Sequence, residues 1–241
     1  MEQKDLIESL NFYLDSVEQV LPIQPKPVAQ ALSPAVTQQQ FSPSESEAYL
    51  LTMDWETLEK ACLACQKCRL CTGRKHVVFG VGNKNNPRIA FVGEGPGADE
   101  DLQGEPFVGK AGQLLTSAIE KGMKLKRSEV YICNVVKCRP PNNRDPQEDE
   151  IQACVPYLYR QLALLNPEII VTLGKHAQLV LSGVDLGITK LRGQWQSWQG
   201  IKLMPTFHPA YILRNLLAKR PFWEDLQAVM RELEVKGNKH V

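Results

Sequence analysis

Six of the seven cysteines fall at spacings that suit a metal centre. They are Cys62, Cys65, Cys68 and Cys71, which recur at every third residue, and Cys138 and Cys154 far downstream. Thiolates in a C-x-x-C turn bind one soft metal centre together, and a distant second pair closes a four-thiolate site. The spacing fits zinc as well as iron–sulfur, and it also allows the local run of four to supply every ligand. Cys133 lies within a predicted strand, outside this pattern.

A glycine-rich loop and two polar residues mark a second candidate site. The loop, Gly93-Glu94-Gly95-Pro96-Gly97, follows a buried apolar run. It lacks the Gly-Lys-Ser/Thr of a Walker A loop and the last glycine of a dinucleotide fingerprint, but its backbone N–H groups can hold a small polar ligand or an anion. Asn134 ends a second apolar run, and His208 follows another. No G-x-S-x-G motif is present, so acyl-transfer hydrolysis has no support.

Strands that alternate with helices are predicted to position these residues. Apolar runs predict strands at 88–93, 130–136, 168–174 and 201–206, with helices at about 111–121 and 147–165, from Lys175, and after the fourth strand to about Leu233. This alternation indicates an α/β protein, a three-layer α/β/α sandwich with a central, mostly parallel, four-stranded sheet. Ligands of such sheets bind at the carboxyl ends of the strands, where the glycine-rich loop, Asn134 and His208 all fall.

The N-terminal quarter differs in composition from the rest. Residues 4–20 have the spacing of a short amphipathic helix, and residues 21–47 are rich in Pro, Gln and Ser, which is typical of a disordered linker. Residues 1–55 carry 8 acids and 2 bases, a net charge of −6, whereas residues 56–241 carry 19 acids and 26 bases, a net charge of +7. We therefore expect an acidic extension over 1–52, a domain over 53–236 with a basic surface that suits a polyanion, and a tail over 237–241.

The overall composition excludes several classes. Of the 241 residues, 43% are apolar and 23% charged, as in an ordinary globular protein. No run of 18 apolar residues could span a membrane, and the acidic start lacks the apolar core of a secretory signal. These features predict a cytoplasmic protein whose cysteines are reduced or bind metal.

Taken together, these motifs resemble one known family. They are Cys65-Gln66-Lys67-Cys68-Arg69-Leu70, the glycine-rich loop with Glu100-Asp101, the segment 104–112, the run Asn134-Val135-Val136-Lys137-Cys138-Arg139-Pro140-Pro141, Asn143-Arg144, Cys154 and Phe207-His208-Pro209-Ala210-Tyr211. Over about residues 56–234 the chain resembles the iron–sulfur uracil-DNA glycosylases called family 4 or type 4, of the bacterial type. The 137–141 run and the spacing from Cys138 to Cys154 are specific to that family.

The resemblance implies a structural [4Fe–4S] cluster. Its ligands would be Cys65, Cys68, Cys138 and Cys154. The pairs Cys62/Cys65 and Cys68/Cys71 also have the C-x-x-C spacing, but Arg69-Leu70 and Gly73-Arg74 keep the family's register after Cys68. The cluster would tie the N-terminal helix to the loop that carries Arg139 and Arg144.

The resemblance also implies a base-excision repair enzyme, a monomer that flips uracil out of single- or double-stranded DNA and hydrolyses its N-glycosidic bond. Phe107 would stack on the base, Asn134 would pair with its edge, and His208 would donate a hydrogen bond to O2, helped by the backbone of Gly93 and Gly95. Glu94 or Glu100 would position the water or exclude thymine. The expected DNA contacts are Arg139, Arg144, Leu213 and Arg214.

Two other functions share some of these features. A catalytically silent nucleic-acid-binding iron–sulfur module would lack Asn134, Phe107 or His208, and all three are present. A redox or zinc regulatory protein would use the cysteines of the 62–71 run alone.

Overall fold

The computed structural model describes Leu50 and residues 52–237 of the chain. The helix expected at 4–20, the linker expected at 21–47 and most of the tail expected at 237–241 lie outside these residues. The first described helix, α1 (Trp55–Leu63), begins where the Asp54 side chain accepts a hydrogen bond of 2.8 Å from the backbone N–H of Thr57. None of the described helices is long and apolar enough to cross a membrane.

Strands and helices alternate over most of the described chain. The strands are β1 (Val81–Gly82), β2 (Ile89–Gly93), β3 (Tyr131–Asn134), β4 (Ile169–Leu173), β5 (Gln196–Trp198) and β6 (Ile201–Thr206). The helices that follow α1 are α2 (Ala98–Gln103), α3 (Lys110–Ser117), α4 (Glu148–Leu165), α5 (Lys175–Ser182), α6 (Ile188–Leu191), α7 (Pro209–Arg214) and α8 (Lys219–Gly237).

The strands of the described residues form one sheet in the order β1-β3-β2-β4-β6-β5. The four central strands are the predicted ones, and they are parallel. The prediction of four strands in total is corrected to six, because β1 and β5 pair antiparallel at the two edges. These edge strands have only two and three residues, too few to show the alternation by which a strand is recognised in a sequence.

Helices cover both faces of the sheet, as predicted. On one face, alternate strand residues such as Val92, Cys133 and Ile170 share a continuous apolar core with buried residues of α1, α4 and α5. The residues between them, such as Phe91 and Ile132, are equally buried and point to the opposite face. There α8 packs on β6, and α3 packs against α7. The parallel strands therefore bring the ends of β2, β3, β4 and β6 to one edge of the sheet.

Candidate active site and metal centre

The first site forms where β2 and β3 end side by side, with Gly93 paired in register with Asn134. A Cβ atom on Gly93 would lie 2.4 Å from Oδ1 of Asn134 and 2.6 Å from Cζ of Phe107. Real side chains do not approach so closely, so only glycine lets Asn134 and Phe107 meet above this strand end.

Asn134 is 1% exposed, and its Oδ1 atom has no hydrogen-bond partner among the described residues. A buried acceptor without a donor costs about 1–3 kcal/mol, and most such atoms in folded proteins are satisfied. An unpaired amide oxygen beside an aromatic ring is therefore a place where a ligand with an N–H group gains a ready partner.

Phe107 is held over this strand end by a loop with two anchors. Its backbone has a φ of 54°, in the left-handed region that non-glycine residues seldom adopt. The Glu100 carboxylate accepts hydrogen bonds from the N–H groups of Val108 at 3.0 Å, Gly109 at 2.9 Å and Gly97 at 3.1 Å. Arg127 donates one of 2.6 Å to the carbonyl of Pro106. Oε1 of Glu100 thus holds the loop and Oε2 holds Gly97, and the alternative in which Glu100 positions a water stays a prediction.

His208 comes to the same pocket from the end of β6, with its ring centroid 5.6 Å from that of Phe107. Burial lowers its pKa to about 4, so the imidazole is neutral at neutral pH. Its Nδ1 atom accepts a hydrogen bond of 3.1 Å from the N–H of Ala210. A neutral ring that accepts at Nδ1 carries its proton on Nε2. His208 is therefore an uncharged hydrogen-bond donor.

Glu94 does not stand alone, because its Oε2 atom lies 2.6 Å from Nδ1 of His176. The other ring nitrogen of His176 is 3.7 Å from Oδ2 of Asp145. The hydrogen bond with Glu94 raises the pKa of His176. His176 was not singled out from the sequence. The signal that could have found it is its place two residues after Gly174, at the carboxyl end of β4.

The second site is a pocket lined by all six cysteines of the sequence pattern: Cys62, Cys65, Cys68, Cys71, Cys138 and Cys154. Arg74, Lys137 and Tyr157 contribute to its wall, and the pocket includes about 300 Å³ of space, part of it open to solvent. Cys133 does not line it, since its side chain is buried in the core between β3 and the helices. The topology thus joins α1, the turn after it, the loop after β3 and α4 around one group of thiols.

Hydrogen bonds mark two of these sulfurs. Arg74 donates to Sγ of Cys138 at 3.3 Å, and the backbone N–H of Lys137 donates to Sγ of Cys154 at 3.3 Å.

Hydrogen bonds to sulfur stabilise metal-bound thiolates. Among the described residues, two of the four expected ligands, Cys138 and Cys154, receive such a bond.

The donor set is a group of thiols from four parts of the chain around one pocket. Such a set suits a soft metal centre, either a zinc ion or an iron–sulfur cluster.

The sequence of this chain is similar to those of known proteins. A sequence model of the Uracil DNA glycosylase superfamily matches residues 79–227. The type-4 uracil-DNA glycosylase of Saccharolobus solfataricus is 47% identical over 180 residues, which cover 71% of this chain and 83% of that protein. The chain belongs to the type-4 uracil-DNA glycosylases. The type-4 enzyme of Thermotoga maritima is 48% identical over 177 residues, 72% of this chain and 91% of that protein.

Part of a longer protein is similar too. A DNA polymerase of Bacillus phage SP01 is 32% identical over 162 residues, which cover 67% of this chain but 17% of the polymerase. Membership of the type-4 uracil-DNA glycosylases confirms the family resemblance, and it is consistent with an iron–sulfur cluster.

In this type-4 uracil-DNA glycosylase, the residues expected to contact DNA differ in their exposure and in the hydrogen bonds that they already make. Both Nη atoms of Arg144 bind the buried Glu150 carboxylate, at 2.7 and 2.8 Å, and the Arg144 side chain is 33% exposed. Arg139 donates to Oδ1 of Asn143 at 2.7 Å. At the end of α7, Arg214 is exposed and Leu213 half-buried, and after this helix Leu217 is 87% exposed. Leu217 was missed because an exposed leucine has no sequence signature of its own.

Proposed function

We propose that the chain excises uracil from DNA by hydrolysing its N-glycosidic bond, which releases free uracil and leaves an abasic site. The observation that carries this proposal is the unpaired, buried Oδ1 of Asn134, placed beside Phe107 and the neutral donor His208. A uracil flipped out of the duplex supplies the N3–H that this oxygen lacks.

Base recognition follows from the same three side chains. Phe107 stacks on the face of the flipped base, and stacking of this kind is worth about 1–3 kcal/mol. The Asn134 amide accepts from N3–H and donates to O4 of uracil. Cytosine presents the reverse pattern at these two positions and would leave the buried amide unpaired, which costs roughly 1–3 kcal/mol or more.

Bond breaking places a negative charge on the leaving base. When the bond between C1′ and N1 breaks, its electron pair goes to uracil and collects chiefly on O2, while the sugar gains oxocarbenium character. The Nε2–H of His208 donates to that oxygen, assisted by the backbone of Gly93 and Gly95. A fixed neutral donor stabilises the developing anion without giving up its proton, as in an oxyanion hole.

The hydrolytic water is assigned to Glu94. Since both oxygens of Glu100 are bound by backbone N–H groups, the carboxylate at this strand end that is free to orient water is Glu94. Its Oε2 is held by His176, which leaves Oε1 for the water. The water oxygen bonds to C1′ and one of its protons passes to Glu94. That proton then passes through solvent to the uracil anion, which leaves as neutral uracil and restores the Glu94 carboxylate.

The cluster assigned to the cysteine pocket is [4Fe–4S], held by Cys65, Cys68, Cys138 and Cys154. The support is the similarity to type-4 uracil-DNA glycosylases, the convergence of these four cysteines on one pocket, and the hydrogen bonds on the sulfurs of Cys138 and Cys154. When bound, the cluster supplies a structural cross-link. The chain's own part is to orient the sulfurs and donate hydrogen bonds to them, and Arg74 and the N–H of Lys137 do this at Cys138 and Cys154.

DNA would approach along the strand ends beside α7. Arg139 and the exposed Arg214 are assigned to phosphate contacts. Arg144 is assigned a structural part instead, because its guanidinium binds Glu150 in α4, the helix that carries Cys154. Leu213 is half-buried, so the apolar contact is assigned to Leu217.

The proposal is tested by single-turnover release of uracil from an oligonucleotide that contains one uracil, with cytosine and thymine oligonucleotides as matched controls. We expect release from the uracil strand alone. The same sample should absorb at about 400 nm and hold about four irons per chain. A protein that binds the oligonucleotide but releases no base would instead be a silent DNA-binding module.

A further inference from the structure

Lys137 is a buried cation in the wall of the cysteine pocket. Its side chain is 1% exposed, and its Nζ donates to the carbonyl of Asn134 at 2.8 Å and to Oε1 of Gln161 at 2.5 Å. Gln161 is itself buried and donates from Nε2 to the carbonyl of Phe79 and to the hydroxyl of Tyr131. The ammonium group is therefore fixed by the hydrogen bonds that it donates to two buried residues, Asn134 and Gln161.

This ammonium group has no carboxylate partner. Some other buried carboxylates in the described residues have a cationic partner, such as Glu150 with Arg144 and Asp225 with Arg192. No Asp or Glu of the described residues forms an ion pair with Lys137, and its two acceptors are neutral. A buried charge without a counter-charge is strongly destabilising, so proteins rarely keep one unless something of opposite sign lies beside it.

The cysteine pocket is where that opposite charge would be. Four thiolates on a [4Fe–4S]²⁺ core carry a net charge of −2. Three cations line the pocket, Lys67, Arg74 and Lys137, and of these Lys137 is the fully buried one. We propose that Lys137 is the buried counter-charge of the cluster and that it couples the presence of the cluster to the position of Asn134. This inference rests on the cluster assigned above.

The coupling is built into one short segment. The backbone N–H of Lys137 binds the sulfur of Cys154, its side chain holds the carbonyl of Asn134, and Cys138 is the next residue. One residue thus touches the ligand set with its main chain and the base-reading residue with its side chain. Without the cluster, the ammonium loses its counter-charge. The 134–138 segment then loses the interactions that fix its position. Lys137 is a positioning residue, since it acts on the base through Asn134.

The test compares Lys137→Met with Lys67→Met, both purified with the cluster. The two substitutions remove the same charge from the same pocket, but Lys67 is exposed, and its Nζ lies 5.4 Å above the Tyr157 ring. Water screens an exposed charge far more than a buried one. In the presence of an iron chelator, we expect Lys137→Met to lose its absorbance at least about tenfold faster than wild type. Lys67→Met should stay within about twofold of wild type.

Lys137→Met should also release uracil more slowly in single turnover while it still holds iron, because Asn134 is less well placed. Equal cluster lifetimes in wild type and Lys137→Met would overturn the inference. A wild-type protein without iron would overturn the assigned cluster, and with it this inference, so the two failures are distinguishable.

If Lys137→Met does not fold, hydrogen exchange on the wild-type protein answers the same question. Removal of the cluster should deprotect the amides of 134–138 while β4 keeps its protection. Unchanged protection at 134–138, or an equal loss in β4, would contradict the coupling.

Discussion

Burial, rather than a charged neighbour, keeps the imidazole of His208 neutral. Its folded pKa of about 4 lies below the ordinary value of 6.5, so the unfolded chain binds a proton between these pH values and the folded chain does not. The stability that this group contributes is fully present above about pH 6.5 and is lost as the pH falls through 4. The neutral donor is thus available over the whole physiological range.

Two results are expected for His208. His208→Ala should slow single-turnover release of uracil by roughly 10²–10³-fold, the cost of losing one oxyanion donor, with little change in DNA affinity. In the wild-type enzyme, the single-turnover rate measured from pH 8 to 5 should show no inflection near 6.5 caused by protonation of His208. An intact rate in His208→Ala would contradict the assigned mechanism even though the family membership stands.

Asn134→Asp tests how the base is read. A carboxyl group accepts from the cytosine amino group, where the amide N–H₂ of Asn134 meets another donor. We expect the ratio of uracil to cytosine release to fall by about tenfold or more, which corresponds to about 1.4 kcal/mol. Single-turnover rates on matched uracil and cytosine oligonucleotides measure this ratio. Unchanged discrimination would mean that Asn134 does not contact the Watson–Crick edge.

The sequence was sufficient for some residues of the site and not for others. Asn134 and His208 follow apolar runs, so their place at the strand ends could be predicted. The role of Glu100 could not, since its hydrogen bonds from Val108 and Gly109 depend on how the 104–109 loop folds back over α2. His176 was missed because the contact with Glu94 joins residues 82 positions apart.

At the scale of elements, the loop between α2 and α3 acts as one unit. Glu100 and Arg127 hold it from two sides, and Phe107 is the side chain it presents. The four central strands were predictable from their long apolar runs. The edge strands β1 and β5 were not, because pairing with a neighbour, rather than their own pattern, makes them strands.

A double-mutant cycle tests whether Glu100 acts through Phe107. Phe107→Ala should raise the enzyme concentration needed for half-maximal uracil release by an amount worth about 1–3 kcal/mol. Glu100→Ala should have an effect of similar size, and the double variant should be little worse than either single one. The control is Glu105→Ala, an exposed carboxylate in the same loop, which should change little. Additive effects would show that Glu100 has a separate role.

At the scale of the whole molecule, the N-terminal extension has a net negative charge, whereas the rest of the chain has a net positive charge. Residues 1–52 carry 7 acids and 2 bases, a net charge of −5, and contain none of the site residues. A chain that begins at Met53 should release uracil at the wild-type single-turnover rate and bind DNA more tightly at low salt, because less negative charge opposes the phosphates. A folded but inactive truncated enzyme would place the domain boundary elsewhere.

Alanine substitutions of two buried cysteines, Cys138 and Cys133, test the metal centre. Cys138→Ala should abolish the brown colour, lower the iron content and reduce the soluble yield. Cys133→Ala, an equally small change in the core beside β3, should keep the iron. Iron analysis of the two purified proteins decides between them. A colourless wild-type protein with one zinc per chain would overturn both expectations.

The cysteines proposed as ligands come from distant parts of the chain: Cys68 and Cys138 are 70 residues apart, and Cys138 and Cys154 are 16 apart. A group that binds all of them at once restricts the unfolded chain much as a disulfide does, and its binding energy becomes folding energy. A newly made chain would then reach full resistance to proteases only after it has acquired iron. Iron supply would thus set the cellular lifetime of this repair enzyme as well as its activity, and iron-starved cells should degrade it faster than they degrade metal-free proteins of the same size.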